Sequence, residues 1–223
     1  MTTPRYRKRL RSLLTPAEAR VFARLDTPQK LQVFIEKLPP NFELKRESTM
    51  SPRRVLATRT AHCSEAAIFA VAVFVYHGQP SWLVDLCALP TDDDHVVTLF
   101  KQRGLWGAIS KVNHAVLRWR DPIYRSPREL VMSYAHEYNL NFGKKSLLTY
   151  SRPFSLARYA PARWVTAPDD LDWILDDLDA SPHLPLAPKR ALDQRRRMTR
   201  VELKSQDVTE WPVPRARRVA HTK

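Results

Sequence analysis

His62-Cys-Ser-Glu-Ala-Ala-Ile-Phe-Ala-Val-Ala-Val-Phe-Val-Tyr-His-Gly78 is the stretch on which the reading of this chain turns. From Ala66 to Tyr76 it carries no charged residue and is apolar on every side, as a helix buried all round would be. Eleven apolar residues are too few to cross a bilayer, so the spacing predicts a core helix. Ser64 and Glu65 suit its first turn, and Gly78 is placed to end it. A cysteine at such a start faces unpaired backbone N–H groups and the positive end of the helix dipole, and both favour the thiolate. The plain alternative is a buried helix that happens to begin with a small, hydrophobe-like residue.

Working outward, the segment before this helix reads as irregular and polar, Asn41 to Thr60, with Pro52 inside it. Two helix starts precede it. Thr15-Pro-Ala-Glu18 and Thr27-Pro-Gln-Lys30 each place threonine as cap and proline at the first position. Leu31, Phe34, Ile35 and Leu38 then fall at helical spacing, and Pro39-Pro40 stops the second helix. After Gly78 four strands are predicted: Ser81–Leu89, His95–Phe100, Leu105–Ser110 and Ala115–Trp119. A turn at Pro90–Asp94 follows the first, and Asp121-Pro122 is read as the end of the sheet. Their short connections favour an antiparallel meander. A capped helix from Ser126 to about Tyr138, a last strand within Leu147–Leu156 and a short acidic helix over Asp169–Leu178 complete the pattern. Helices first and antiparallel strands after are an α+β arrangement.

The chain has 223 residues and a formal charge of +14, and that charge is uneven. Residues 1–25 hold seven basic and one acidic side chain, residues 189–223 eleven and four, and the remainder nineteen and eighteen. The ends therefore carry +6 and +7 and the body only +1, which argues against a nucleic-acid reading surface on the fold itself. The expected organisation is a basic arm over 1–14, one domain over 15–185 and a basic tail over 186–223. The ends would give at most weak, salt-sensitive contact with nucleic acid or an acidic partner. Two cysteines do not make a disulfide framework, and no apolar run follows the charged N-terminus, so a reducing cytoplasm and no membrane are expected.

Thiol chemistry needs a base, a group to orient the base, and donors for an oxyanion. His95 heads the second strand, and a meander can bring Asp121 from its far end toward that histidine. Glu65 and Asp85 are alternatives to Asp121 as the orienting acid. His62, His114 and His136 read as structural or surface residues, Trp106 and Trp119 as core, and Cys87 as packing. Asp92-Asp-Asp-His95 is a poor metal site, because consecutive acids cannot all face one ion.

The order of Cys63 at a buried helix start, His95 at a strand head and Asp121 before a proline resembles the transglutaminase-like superfamily. More closely, Ser51-Pro-Arg-Arg-Val55, His62-Cys63, Asp93-Asp-His-Val-Val97, Trp106-Gly-Ala-Ile-Ser110 and Arg120-Asp-Pro122 look like a group of uncharacterised bacterial members. The resemblance spans about residues 27–140 and implies a papain-like core with a Cys-His-Asp triad. Carried over, Cys63 is the nucleophile, His95 the general base and Asp121 its orienter. The Cys63 N–H supplies one oxyanion donor, and Gln32 is the candidate for the second. His62 and Val97 stand where many members have glycine and an aromatic, which leaves the shape of the cleft open. The implied activity is acyl transfer from an amide or ester of a peptide or protein substrate to water or an amine, with no cofactor. The alternative is a non-catalytic binding module of the same fold, its basic tails contacting an acidic partner or nucleic acid.

Overall fold

A computed structural model describes residues 3–42, 48–140 and 142–212. In chain order the elements are helices α1 (Pro4–Leu13), α2 (Pro16–Arg24), α3 (Pro28–Glu36), α4 (Pro52–Thr58) and α5 (Cys63–His77), then strands β1 (Ser81–Cys87), β2 (His95–Gln102), β3 (Leu105–Ile109) and β4 (Arg120–Tyr124). They continue with α6 (Pro127–Met132), β5 (Thr149–Ser151), α7 (Asp172–Asp179), β6 (His183–Pro185), α8 (Lys189–Asp193) and α9 (Arg200–Lys204). The protein is α+β, built on a six-stranded antiparallel sheet of order β4-β3-β2-β1-β5-β6.

Helix α5 lies between the sheet and the other helices, and Ser64 to Val75 are all buried. On the sheet side the Thr98 hydroxyl donates to the Ala67 carbonyl at 2.7 Å, and Phe74 stacks on Phe100 with ring centroids 5.5 Å apart. On the other side Phe69 meets Phe22 of α2 edge-on and Phe34 of α3 face-on. An all-apolar helix satisfies its own backbone and can pack on every face, which is why this stretch needs no polar stripe. Gly78 ends it in the left-handed region at φ 76°, with the N–H of Gln79 returning to the Phe74 carbonyl. The opposite face of the sheet is covered by α6 and the turns after it, through Leu130, Val131, Tyr134 and Tyr138.

Several elements differ from the sequence reading. The basic N-terminal segment is helix α1, whose Leu10 is fully buried and whose Tyr6 hydroxyl donates to the Tyr159 carbonyl at 2.8 Å. Tyr6, Leu10, Leu13 and Leu14 form the helical stripe that its five basic residues mask. The segment expected to be irregular contains α4, with proline at its first position, while residues 43–47 lie outside the described residues. The fourth strand begins at Arg120 instead of ending at Trp119. Asp121 and Pro122 therefore lie inside β4, where an edge strand tolerates a proline that cannot donate to a ladder. The strand within 147–156 is not the last, since β6 pairs beyond it through Ser151↔His183. The basic segment after Pro188 folds back as α8 and α9. Arg195 donates to the Leu147 carbonyl at 2.8 Å, and Thr209 bridges to His114. Residues 213–223 of the expected tail lie outside the described residues. Among the described residues no helix is long and apolar enough to cross a membrane.

Candidate active site

Helix α5 begins at a carboxylate that is sealed from solvent. Glu65 has no exposed surface, and its Oε2 accepts from the His62 N–H at 3.0 Å. Its Oε1 accepts from the Met50 N–H at 2.9 Å, the Ser48 hydroxyl at 3.0 Å and the Asn41 amide at 3.4 Å. A buried charge is tolerable only with such a set of donors, and here the donors fix the incoming chain against the first turn. His62 is held in the same knot. Its Nε2 donates to the Ser48 carbonyl and stands 3.5 Å from Glu65 Oε1, and its Nδ1 is 3.0 Å from the Ser64 hydroxyl.

Cys63 is the first residue of α5 and is partly exposed. The backbone N–H groups of that first turn have no acceptor within the helix. Burial alone would push the thiol up, but hydrogen bonding and charge from His62 and His95 outweigh it and hold Cys63 well below the ordinary thiol range. Burial likewise opposes charge on His62. The adjoining sulfur, the Glu65 carboxylate and the Ser48 carbonyl overcome that and raise His62 to about 9. Both shifts favour a thiolate beside a protonated His62.

His95 opens β2, opposite Leu86 of β1, and is 5% exposed. Its Nε2 lies 2.8 Å from the Ser110 hydroxyl, and that hydroxyl spends its single hydrogen on the Leu117 carbonyl. Ser110 can therefore only accept from His95, which places the proton on Nε2 and leaves Nδ1 as the nitrogen available to the thiol. Ser110 is itself clamped by Gln32. The Gln32 amide donates to the Ser110 carbonyl at 2.8 Å, and the Ser110 N–H returns to Gln32 Oε1 at 3.1 Å. Gln32 is 5% exposed, so it is no surface residue, and its amide is already engaged by Ser110 and by Glu36 at 3.0 Å. It holds the partner of His95 in place of the expected oxyanion role.

Asp121 does not join this group. It is exposed, and its Oδ1 accepts from the Trp119 indole at 2.9 Å. The register explains the displacement. Arg120 pairs with Ala108, and Ala108 with Leu99, so β4 crosses the sheet four residues along from His95, about 13 Å at strand rise, and two strands over. The position brought beside Ser110 is Leu117. Of the alternative acids, Glu65 serves His62, and Asp85 lies beside Cys87 and His183.

The remaining candidates have ordinary occupations. His114 Nδ1 bonds the Gln206 carbonyl, His136 Nδ1 meets Lys145 Nζ at 2.9 Å, and Trp119 stacks on Phe100. Asp94 accepts from the Ala88 N–H at 2.7 Å, and Asp92 accepts from the Ser146 hydroxyl. Two surface clefts lie away from the thiol. One is lined by Gln102, Arg103, Leu105 and Pro122, and the other runs between α1 and residues 157–161. Ser110 and Glu65 are the residues whose roles sequence reasoning missed. Ser110 carried no signal beyond a small polar residue ending an apolar strand, whereas Glu65, three positions after His62, is the recognisable acid of a capping box. Among known proteins, neither a family model nor a curated sequence matches the chain.

Proposed function

We propose that the chain is a cysteine-dependent acyl-transfer enzyme of the transglutaminase-like, papain-like type, acting on an amide or ester. Cys63 attacks the carbonyl carbon, and the helix-start N–H groups stabilise the oxyanion. His95, its Nε2 proton held by Ser110, takes the thiol proton of Cys63 at Nδ1 as the sulfur attacks and delivers it to the leaving amine or alcohol. Water or an amine then takes the acyl group from sulfur, returning a proton to His95. The observation that carries this reading is Cys63, a partly exposed residue at the start of a buried helix, with two imidazoles lowering its thiol pKa. His62 contributes positive charge and a hydrogen bond to the sulfur, with its Nε2 held on the Ser48 carbonyl.

A second reading rests on one feature. His95 is partnered by the neutral Ser110 hydroxyl and not by a carboxylate, which orients the ring but adds no charge to stabilise an imidazolium. A binding module that keeps the pair without turnover fits that substitution. The two readings separate on a panel of activated esters and glutamine-containing peptides. Acyl-enzyme formation on Cys63, seen as a mass increase that Cys63→Ala abolishes, supports the enzyme. For turnover, the same substitution lowers the rate at least about a thousandfold. A folded protein that acquires no adduct from any substrate, while its thiolate remains alkylatable, supports the module.

A further inference from the structure

A second cluster lies at the opposite side of β1 from His95. Asp85 and Cys87 are two residues apart on β1, so their side chains leave the same face. Strand β5 lies beside β1 through Leu86↔Tyr150 and Cys87↔Thr149, and β6 beside β5 through Ser151↔His183. Asp85, Ser151 and His183 thus fall in one row across three strands, and the Asp85 N–H donates to the Ser151 hydroxyl at 2.9 Å. Cys87 Sγ is 2.7 Å and His183 Nε2 3.4 Å from the same oxygen, Asp85 Oδ2. One ligand atom from each residue lies within 4.8 Å of the others.

The His183 Nδ1 donates to the Ser181 carbonyl at 2.7 Å, which in the neutral ring leaves a lone pair on Nε2. That Nε2 is buried with no hydrogen-bond partner, and it faces a carboxylate oxygen. A lone pair and a carboxylate oxygen at this separation need a proton or a metal ion between them, and a metal ion is what the sulfur alongside adds a third ligand for. Asp94 and Asp179 add like charge around Asp85. Among the described residues no lysine or arginine forms an ion pair with any of these three acids.

We propose that Asp85, Cys87 and His183 bind a zinc-class divalent ion through one oxygen, one sulfur and one nitrogen, with water in the fourth position. This donor set of mixed hardness is the one such ions take. With metal–sulfur bonds of about 2.3 Å and metal–nitrogen and metal–oxygen bonds of about 2.0–2.1 Å, tetrahedral ligands stand about 3.3–3.6 Å apart. The His183–Asp85 separation of 3.4 Å already matches, and the Cys87 sulfur need only rotate away from Asp85. On binding, the S–H bond of Cys87 breaks, its electron pair goes to the metal and its proton to solvent. No oxidation occurs, and one proton is released per ion. The partial exposure of Cys87 and His183 leaves a way in.

The test is titration of the reduced full-length protein with Co²⁺, reading the near-ultraviolet thiolate-to-cobalt charge-transfer band. One equivalent should produce the band in the native protein and in Cys63→Ala, and Zn²⁺ should displace it. Cys87→Ser should remove the band, and His183→Asn should weaken binding by about a hundredfold or more. Far-ultraviolet circular dichroism identifies any variant that does not fold, and the Cys63→Ala comparison then decides alone. Absence of the band in native protein, or its loss in folded Cys63→Ala, overturns the proposal.

Discussion

Cys63 and Cys87 are both partly exposed residues of the same sheet-and-helix core, and their surroundings drive their thiols in opposite directions. Burial raises both. At Cys63 two imidazoles answer that burial and the thiolate wins, whereas at Cys87 the hydrogen bond to Asp85 and the negative charge of that carboxylate add to it and the thiol stays protonated. Backbone context differs in the same sense. Cys63 begins a helix, where free N–H groups favour an anion, and Cys87 ends a strand beside an acid. Burial alone would hold the Cys63 thiol at least as high as that of Cys87; the sign of the nearest charge reverses the order. The acid that suppresses nucleophilic reactivity at Cys87 is also what makes that cluster a set of metal ligands.

The contrast depends on a few groups that can be removed singly. Glu65→Ala strips the acceptor from the N–H groups of Met50 and His62 and from the Ser48 hydroxyl, all in the buried start of α5. We expect a loss of about 3 kcal/mol in urea unfolding. It should also raise the Cys63 pKa toward that of an ordinary thiol, because His62 loses part of what keeps it charged. Ser110→Ala removes the acceptor that fixes the His95 tautomer. Turnover should fall about tenfold, the equivalent of one hydrogen bond, while Cys63 alkylation at neutral pH changes little because His62 still supplies charge. Asp121→Asn should do least. The residue is exposed and an amide oxygen can still accept from Trp119, so stability should move by less than about 0.5 kcal/mol and turnover by less than about twofold. A large loss of turnover in that variant would restore Asp121 as the orienter and break the Ser110 account.

Much of this architecture was legible because it is written in local periodicity. The charge-free run after Cys63 marked α5 and its burial, and Gly78 marked its end. The three strands after it follow from alternation and turn residues, and β2 does begin at His95. What escaped depends on pairing between distant segments. Asp121-Pro122 looked like a terminator, yet on an edge strand it sits within the ladder, and the resulting register carries Asp121 away from His95 and puts Leu117 beside Ser110. The row of Asp85, Ser151 and His183 joins three strands separated by up to 98 positions, and only the two-residue spacing of Asp85 and Cys87 hinted at a shared face. In the basic N-terminal segment charge outweighs the apolar signal, although Tyr6 and Leu10 lie on one face of a helix.

The most direct test is alkylation of the two thiols in one reduced sample, with the rate at each cysteine followed by peptide mass spectrometry as pH is varied. Because the Cys63 pKa is lowered, its rate should hold as pH falls below the ordinary thiol value of about 8.5, with Cys87 lagging throughout. Modification of Cys87 first, or a Cys63 rate that rises only in alkali, would contradict the account.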